Sequence, residues 1–183
     1  SFYCSGSEMF AERGNTPLHC WQHAGHGSET TFQALQNSCN IAFAHIGLKL
    51  GGEKFYEYAK AFGLLEATGV GMSGESDGIF FPKSTITDPN ANGYGAAVIA
   101  GSFGQTFKVT PIQLVRAISA VVNGGYVMQP YIVSEVLDGD GNVVQKNEPT
   151  VIRQAISEET SEIMRQMILS VVTEGTAKNA QVA

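Results

Sequence analysis

Phe32-Gln33-Ala34-Leu35-Gln36-Asn37-Ser38-Cys39-Asn40-Ile41 joins two short helical patterns through a polar break. Ser28-Glu29-Thr30-Thr31 supplies N-cap candidates before the first pattern, and the second repeats apolar residues at Ile41, Ala44 and Leu48 until Gly51-Gly52 ends it. The spacing predicts two helices meeting at a turn over 37–40. Two residues apart on such a turn, Ser38 and Asn40 can point together into a cleft while Cys39 points back into the core. Taken alone, the same residues read as an ordinary interhelix turn capped by Asn40, since Ser and Asn favour helix starts whatever the function.

Upstream, residues 1–30 are rich in Gly, Ser and His and show no sustained period, which predicts loops with one short strand. Downstream, a third helix is predicted from Glu53 to Phe62, closed by Gly63. From Gly63 to Gly104 the glycines and Pro82 and Pro89 predict a long loop region. Thr110-Pro111 is a strong helix start, and Ile112, Val115, Ile118 and Val122 form an apolar stripe up to Gly124-Gly125. Tyr126 to Val136 and Val143-Val144-Gln145, around Asp138-Gly139-Asp140-Gly141-Asn142, predict a β-hairpin. A last helix runs from Ser157 to Thr173 and stops at Gly175.

The 183 residues fit one domain with its own core, and 43% hydrophobic against 15% charged residues is the composition of an ordered protein. A net charge of -6, with Lys and Arg scattered singly, argues against nucleic acid and against a polybasic membrane patch. No stretch approaches the roughly 18 apolar residues of a membrane helix.

Several stretches, in order, resemble the class B penicillin-binding proteins, especially the sporulation-type and cell-division-type transpeptidases of Gram-positive bacteria. They are Phe2-Tyr3-Cys4-Ser5-Gly6, His26-Gly27, Ala34 to Asn40, Phe62-Gly63 with Thr68-Gly69, Gly74-Glu75 with Gly78, Ser102-Phe103-Gly104-Gln105, Val109-Thr110-Pro111-Ile112-Gln113, Asn123-Gly124-Gly125 and Glu174-Gly175-Thr176-Ala177. The resemblance implies an α+β chain, the mainly helical portion of a penicillin-binding transpeptidase (serine β-lactamase-like) fold with a β-hairpin. It implies a serine acyl-enzyme that cross-links peptidoglycan stem peptides and is acylated by β-lactams, without cofactor or metal. It also implies a membrane-anchored parent protein acting on the extracytoplasmic face.

Three motifs serve that chemistry: Ser-x-x-Lys for nucleophile and base, Ser-x-Asn for proton relay and substrate grip, and Lys-Thr-Gly. Ser38 and Asn40 match the second and inherit its catalytic and substrate-binding roles by resemblance. The residues three before each lysine are Ile46, Gly51, Glu57, Phe80, Gln105, Val143 and Gly175, so no Ser-x-x-Lys occurs, and neither does Lys-Thr-Gly. The expectation is a single partial transpeptidase domain over 1–183, clipped at both ends, inactive alone and prone to self-association through the 126–146 hairpin and through Ile163, Met167 and Val171. The alternatives are a non-enzymatic scaffold of the same fold and a β-lactam sensor or serine β-lactamase relative.

For an extracytoplasmic domain, a Cys4–Cys20 disulfide is the first reading of the cysteines, with free thiols next. A zinc site drawn from Cys4, Cys20, His19, His23 and His26 is a further alternative, though the spacing is that of neither a finger nor a ribbon. Cys39 reads as a small core residue. His26 is expected to hydrogen-bond backbone near Ser38-Asn40. Gly101 to Gln105 is expected at the rim of the cleft and lacks the ending of a phosphate-binding loop.

Overall fold

A computed structural model describes residues 1–181, with α-helices and short strands that pair two by two among the described residues. The chain folds into two compact units, one made of residues 1–57, 80–107 and the chain from Ile163, the other of residues 58–79 and 108–162.

In the first unit, β1 (Phe2–Cys4) pairs antiparallel with β4 (Gly27–Glu29), and β2 (Ser7–Glu8) with β3 (Leu18–His19). The opening residues therefore hold four short strands where one was expected. Helix α1 (Thr31–Gln36) starts with a reciprocal capping box between Thr30 and Gln33, and α2 (Asn40–Leu50) and the start of α3 (Gly52–Ala61) follow as predicted.

The 63–104 stretch departs from expectation, because it contains α4 (Lys83–Thr87) and α5 (Tyr94–Ser102). The glycines of α5 are packing devices rather than breakers. A Cβ at Gly95 would run into the side chain of Glu12, and one at Gly101 would press on Phe55 and Phe81. Tertiary contact thus overrides the poor helix propensity of glycine, roughly 1 kcal/mol per residue. Helix α5 packs on α2, where Gly47 leaves space for Ser102. One apolar cluster is built around Ile41, Ala44 and Ile99, and a second around Ile86 and Val98 with the rings of Phe55, Phe80 and Phe107 packed against it. Full burial of one such aliphatic side chain contributes about 1.5–3 kcal/mol.

In the second unit, α6 (Pro111–Val122) has the predicted cap: Thr110 and Gln113 form a capping box with Pro at the first turn. Its buried face is not the predicted one. Gln113, Arg116, Ala117 and Ala120 are buried, while Val115 is 63% and Ile118 48% exposed. The polar pair faces inward because backbone there needs donors. Gln113 Nε2 donates to the carbonyls of Glu66 (2.8 Å) and Asp77 (3.1 Å), and Arg116 Nη2 donates to Gly63 O at 2.6 Å.

The predicted hairpin is two separate pairings. β6 (Glu135–Leu137) and β7 (Val143–Lys146) form it, around Asp138, whose carboxylate accepts from the backbone N–H of Asp140 and Asn142. β5 (Tyr126–Met128) instead pairs with β8 (Val151–Gln154), a strand absent from the expectation. Pro130 interrupts the long β-pattern and lets its first part choose another partner. Helix α7 (Glu158–Thr173) begins where Ser157 Oγ accepts from Thr160 N at 3.1 Å. Met167 is buried, against the expectation that it lies on a contact surface, while Ile163 is exposed.

Candidate active site

Helix α1 ends in a Schellman arrangement: Ser38 N–H donates to Leu35 O (3.1 Å) and Cys39 N–H to Ala34 O (2.9 Å). Ser38 occupies the left-handed position of that motif at φ 53°, a place glycine ordinarily fills. A non-glycine residue held there costs on the order of 1 kcal/mol. The hydroxyl compensates by a specific contact: Ser38 Oγ shares a 3.0 Å hydrogen bond with Thr176 Oγ1.

The segment after α7 is docked on this turn. Thr176 N–H donates to Gln36 O at 3.1 Å, Gln36 Nε2 donates to Glu174 Oε2 at 3.2 Å, and Gly175 passes so close to Gln36 O that no side chain fits. On the other side, Asn40 Nδ2 donates to His19 O (3.2 Å) and Trp21 Nε1 to Asn37 O (2.9 Å). Trp21 and the carbonyl of His19, not a hydrogen bond from His26, therefore tie the upstream loop to the turn. The N-cap of α2 is Cys39, which makes no side-chain cap bond, so neither Ser38 nor Asn40 serves as its cap.

Ser38 and Asn40 line a cavity of about 260 Å³ with Leu35, Phe43, Ser102 and Phe103. Ser102 Oγ donates to Ile99 O at 2.7 Å, which leaves its proton engaged within α5. The expected rim loop thus lies at the cavity, and Gly104 takes the positive φ (82°) that turns the chain after it. Thr176 belongs to the Glu174–Ala177 stretch of the resemblance, yet nothing in the sequence pattern places it 3.0 Å from a serine so far away in the chain.

Cys4, Cys20 and Cys39 are all free thiols and all buried, so the expected Cys4–Cys20 disulfide is not formed. With no cation beside it among the described residues, burial pushes the Cys39 thiol well above the usual thiol range, so it stays protonated next to Ser38. Glu29, buried next to this layer, accepts from Asn37 Nδ2 at 2.7 Å.

Residues 7–183 match the family model of the penicillin binding protein transpeptidase domain. The chain is 42% identical over 180 residues to stage V sporulation protein D of Bacillus subtilis, covering 98% of the chain and 26% of that protein. It is 32% identical to penicillin-binding protein PbpB of Mycolicibacterium smegmatis, covering 87% of the chain and 23% of that protein. The chain spans about a quarter of the length of the curated relatives it matches. Among solved structures, penicillin binding protein 3 from Mycobacterium tuberculosis in complex with aztreonam superposes with a TM-score of 0.83 at 26% identity, covering 99% of this chain and 40% of that one. The same protein in complex with ampicillin gives the same score.

Proposed function

The chain belongs to the penicillin binding protein transpeptidase domain family, and from that premise we propose that it forms the middle portion of a single peptidoglycan D,D-transpeptidase domain. Its substrate is a stem peptide ending in D-Ala-D-Ala, and β-lactams are its inhibitors, as the aztreonam and ampicillin complexes of the Mycobacterium tuberculosis protein suggest. The reaction makes an ester between a serine nucleophile and the penultimate D-Ala carbonyl and breaks the peptide bond to the terminal D-Ala, whose nitrogen takes a proton. An acceptor amine then displaces the serine. Ser38 relays the proton to the leaving nitrogen, and the Asn40 amide holds the substrate backbone. The nucleophile, its lysine base and the Lys-Thr-Gly strand are not supplied by these residues, so this chain alone is inactive. The site works on the extracytoplasmic face, where the polymer lies; no helix among the described residues is long and apolar enough to cross a membrane.

The observation that supports this reading is the strained Ser38, whose hydroxyl is oriented by Thr176 at the lip of the cavity it shares with Asn40. In a protein that carries this chain together with Ser-x-x-Lys and Lys-Thr-Gly, Asn40→Ala slows acylation by a fluorescent penicillin about 100-fold, the scale of one preorganised polar contact to the reacting group. The chain by itself takes up no label. A rate within about threefold of the unaltered protein, or a labelled band from the chain alone, sinks the proposal.

A further inference from the structure

Independently of the transpeptidase reading, we infer that Cys4, Cys20, His26 and Cys39 form a closed, structural zinc site directly beneath the Ser38–Asn40 turn. The four side chains come from four separate places in the chain, yet one potential ligand atom of each lies within 4.8 Å of the other three. Cys4 ends β1 and pairs across the ladder with Gly27, next to His26. Cys20 follows β3, held by its N–H to Gly6 O at 2.9 Å. Cys39 opens α2. Gly6 and Gly25, both at positive φ, let the two loops approach until neither has room for a Cβ.

The geometry matches a metal better than a disulfide. Zn–S bonds of about 2.3 Å and Zn–N bonds of about 2.0–2.1 Å at tetrahedral angles separate ligand atoms by about 3.5–3.8 Å. Cys20 Sγ and His26 Nδ1 stand 3.7 Å apart. A disulfide would use two of the thiols and leave the third buried beside an imidazole, whereas zinc employs all three thiols and the imidazole. Cys4 and Cys20 are each 1% exposed, Cys39 is fully buried, and the His26 side chain is 9% exposed. Solvent has no open position here, so the site is structural rather than catalytic.

Its surroundings support the ligands. Glu29 Oε2, buried without a hydrogen-bond partner, lies 3.9 Å from His26 Nδ1, the same ring nitrogen that faces Cys20, so this carboxylate borders the ligand cluster itself, while His26 Nε2 is buried on the other side of the ring. The N-terminus of α2, 11 residues long, favours negative charge on Cys39. Binding displaces three thiol protons to water and leaves three thiolates and one neutral imidazole around Zn²⁺, a net charge of −1. The metal then clamps Cys39 between the two residues that line the cavity, so the turn is positioned from below by coordination and from the side by Thr176.

The chain purified from zinc-supplemented medium is expected to hold about one zinc per molecule by elemental analysis. Exchange to Co²⁺ should give the intense visible bands of a tetrahedral site and a sulfur-to-cobalt charge-transfer band. Cys20→Ser and His26→Ala each lower zinc affinity by roughly tenfold or more, and His26→Cys retains a tetrahedral cobalt spectrum with a fourth sulfur. Should the variants fail to fold, the cobalt spectrum of the unaltered chain decides alone. An octahedral spectrum, zinc that survives both substitutions, or a metal-free chain two hydrogens lighter from an internal disulfide overturns the inference.

Discussion

At Ser38 the chain accepts a backbone penalty that glycine would remove, and that choice separates stability from chemistry. Ser38→Gly relieves the positive φ and should raise stability by up to about 1 kcal/mol, while Ser38→Ala keeps the strain. In a protein with the complete set of motifs both should slow β-lactam acylation on the order of 100-fold, because both remove the hydroxyl. Urea unfolding read beside acylation kinetics checks this, and equal stabilities for the two variants would refute the strain argument. Glu75 gives a second test of single-residue physics. Its carboxylate accepts from the Thr68 hydroxyl and from the backbone N–H groups of Thr68, Gly69 and Val70, which hold its pKa below the usual carboxylate range. A depressed folded-state pKa adds stability that is complete above the unfolded value and is lost as pH falls through the folded one. Glu75→Gln should therefore flatten the acid limb of a stability-against-pH curve; curves that stay parallel in acid would rule this out.

Among the elements, what was legible in the sequence is what local chemistry determines by itself. The caps of α1 and α6 and the turn at Asp138 are written in neighbouring residues, and each is found where its pattern predicts. Helix α5 was hidden because Gly95 and Gly101 read as breakers until Glu12, Phe55 and Phe81 are in place around them. Strand β8 was hidden because its partner is β5, across an intervening hairpin. The inward face of α6 departs from its pattern for a related reason: period alone favours Val115 and Ile118, whereas unsatisfied carbonyls distant in sequence recruit Gln113 and Arg116. Ser38 and Asn40 were legible as a motif, but Thr176 was not legible as their neighbour. The α6 arrangement makes a quantitative claim. Gln113→Leu leaves Thr110 N–H and the carbonyls of Glu66 and Asp77 without that partner and should destabilise the protein by about 3 kcal/mol. A loss under about 1 kcal/mol in urea unfolding would mean that water replaces the amide at little cost.

For the whole molecule, the apolar surface left open is the dominant feature. Val136, Leu137, Val143 and Val144 on the β6–β7 hairpin and Leu114, Val115 and Ile118 on α6 are exposed, and a two-stranded ribbon also presents unpaired edges. Such surfaces are normally covered by other chains or segments. The chain should therefore self-associate, which light scattering coupled to size exclusion across a wide dilution series will show as a mass that rises with concentration. A constant monomer mass with no binding of a hydrophobic dye would mean that these faces are tolerated in water. The Ser38–Thr176 hydrogen bond has a consequence of another kind, for the timing of synthesis. Its two hydroxyls are 138 positions apart. A ribosome adding about 5–20 residues per second takes on the order of ten seconds to travel between them. During that interval the turn that carries Ser38 has left the ribosome without the hydroxyl that orients it, so nascent chains should be most vulnerable to proteases and most dependent on chaperones before residue 176 emerges.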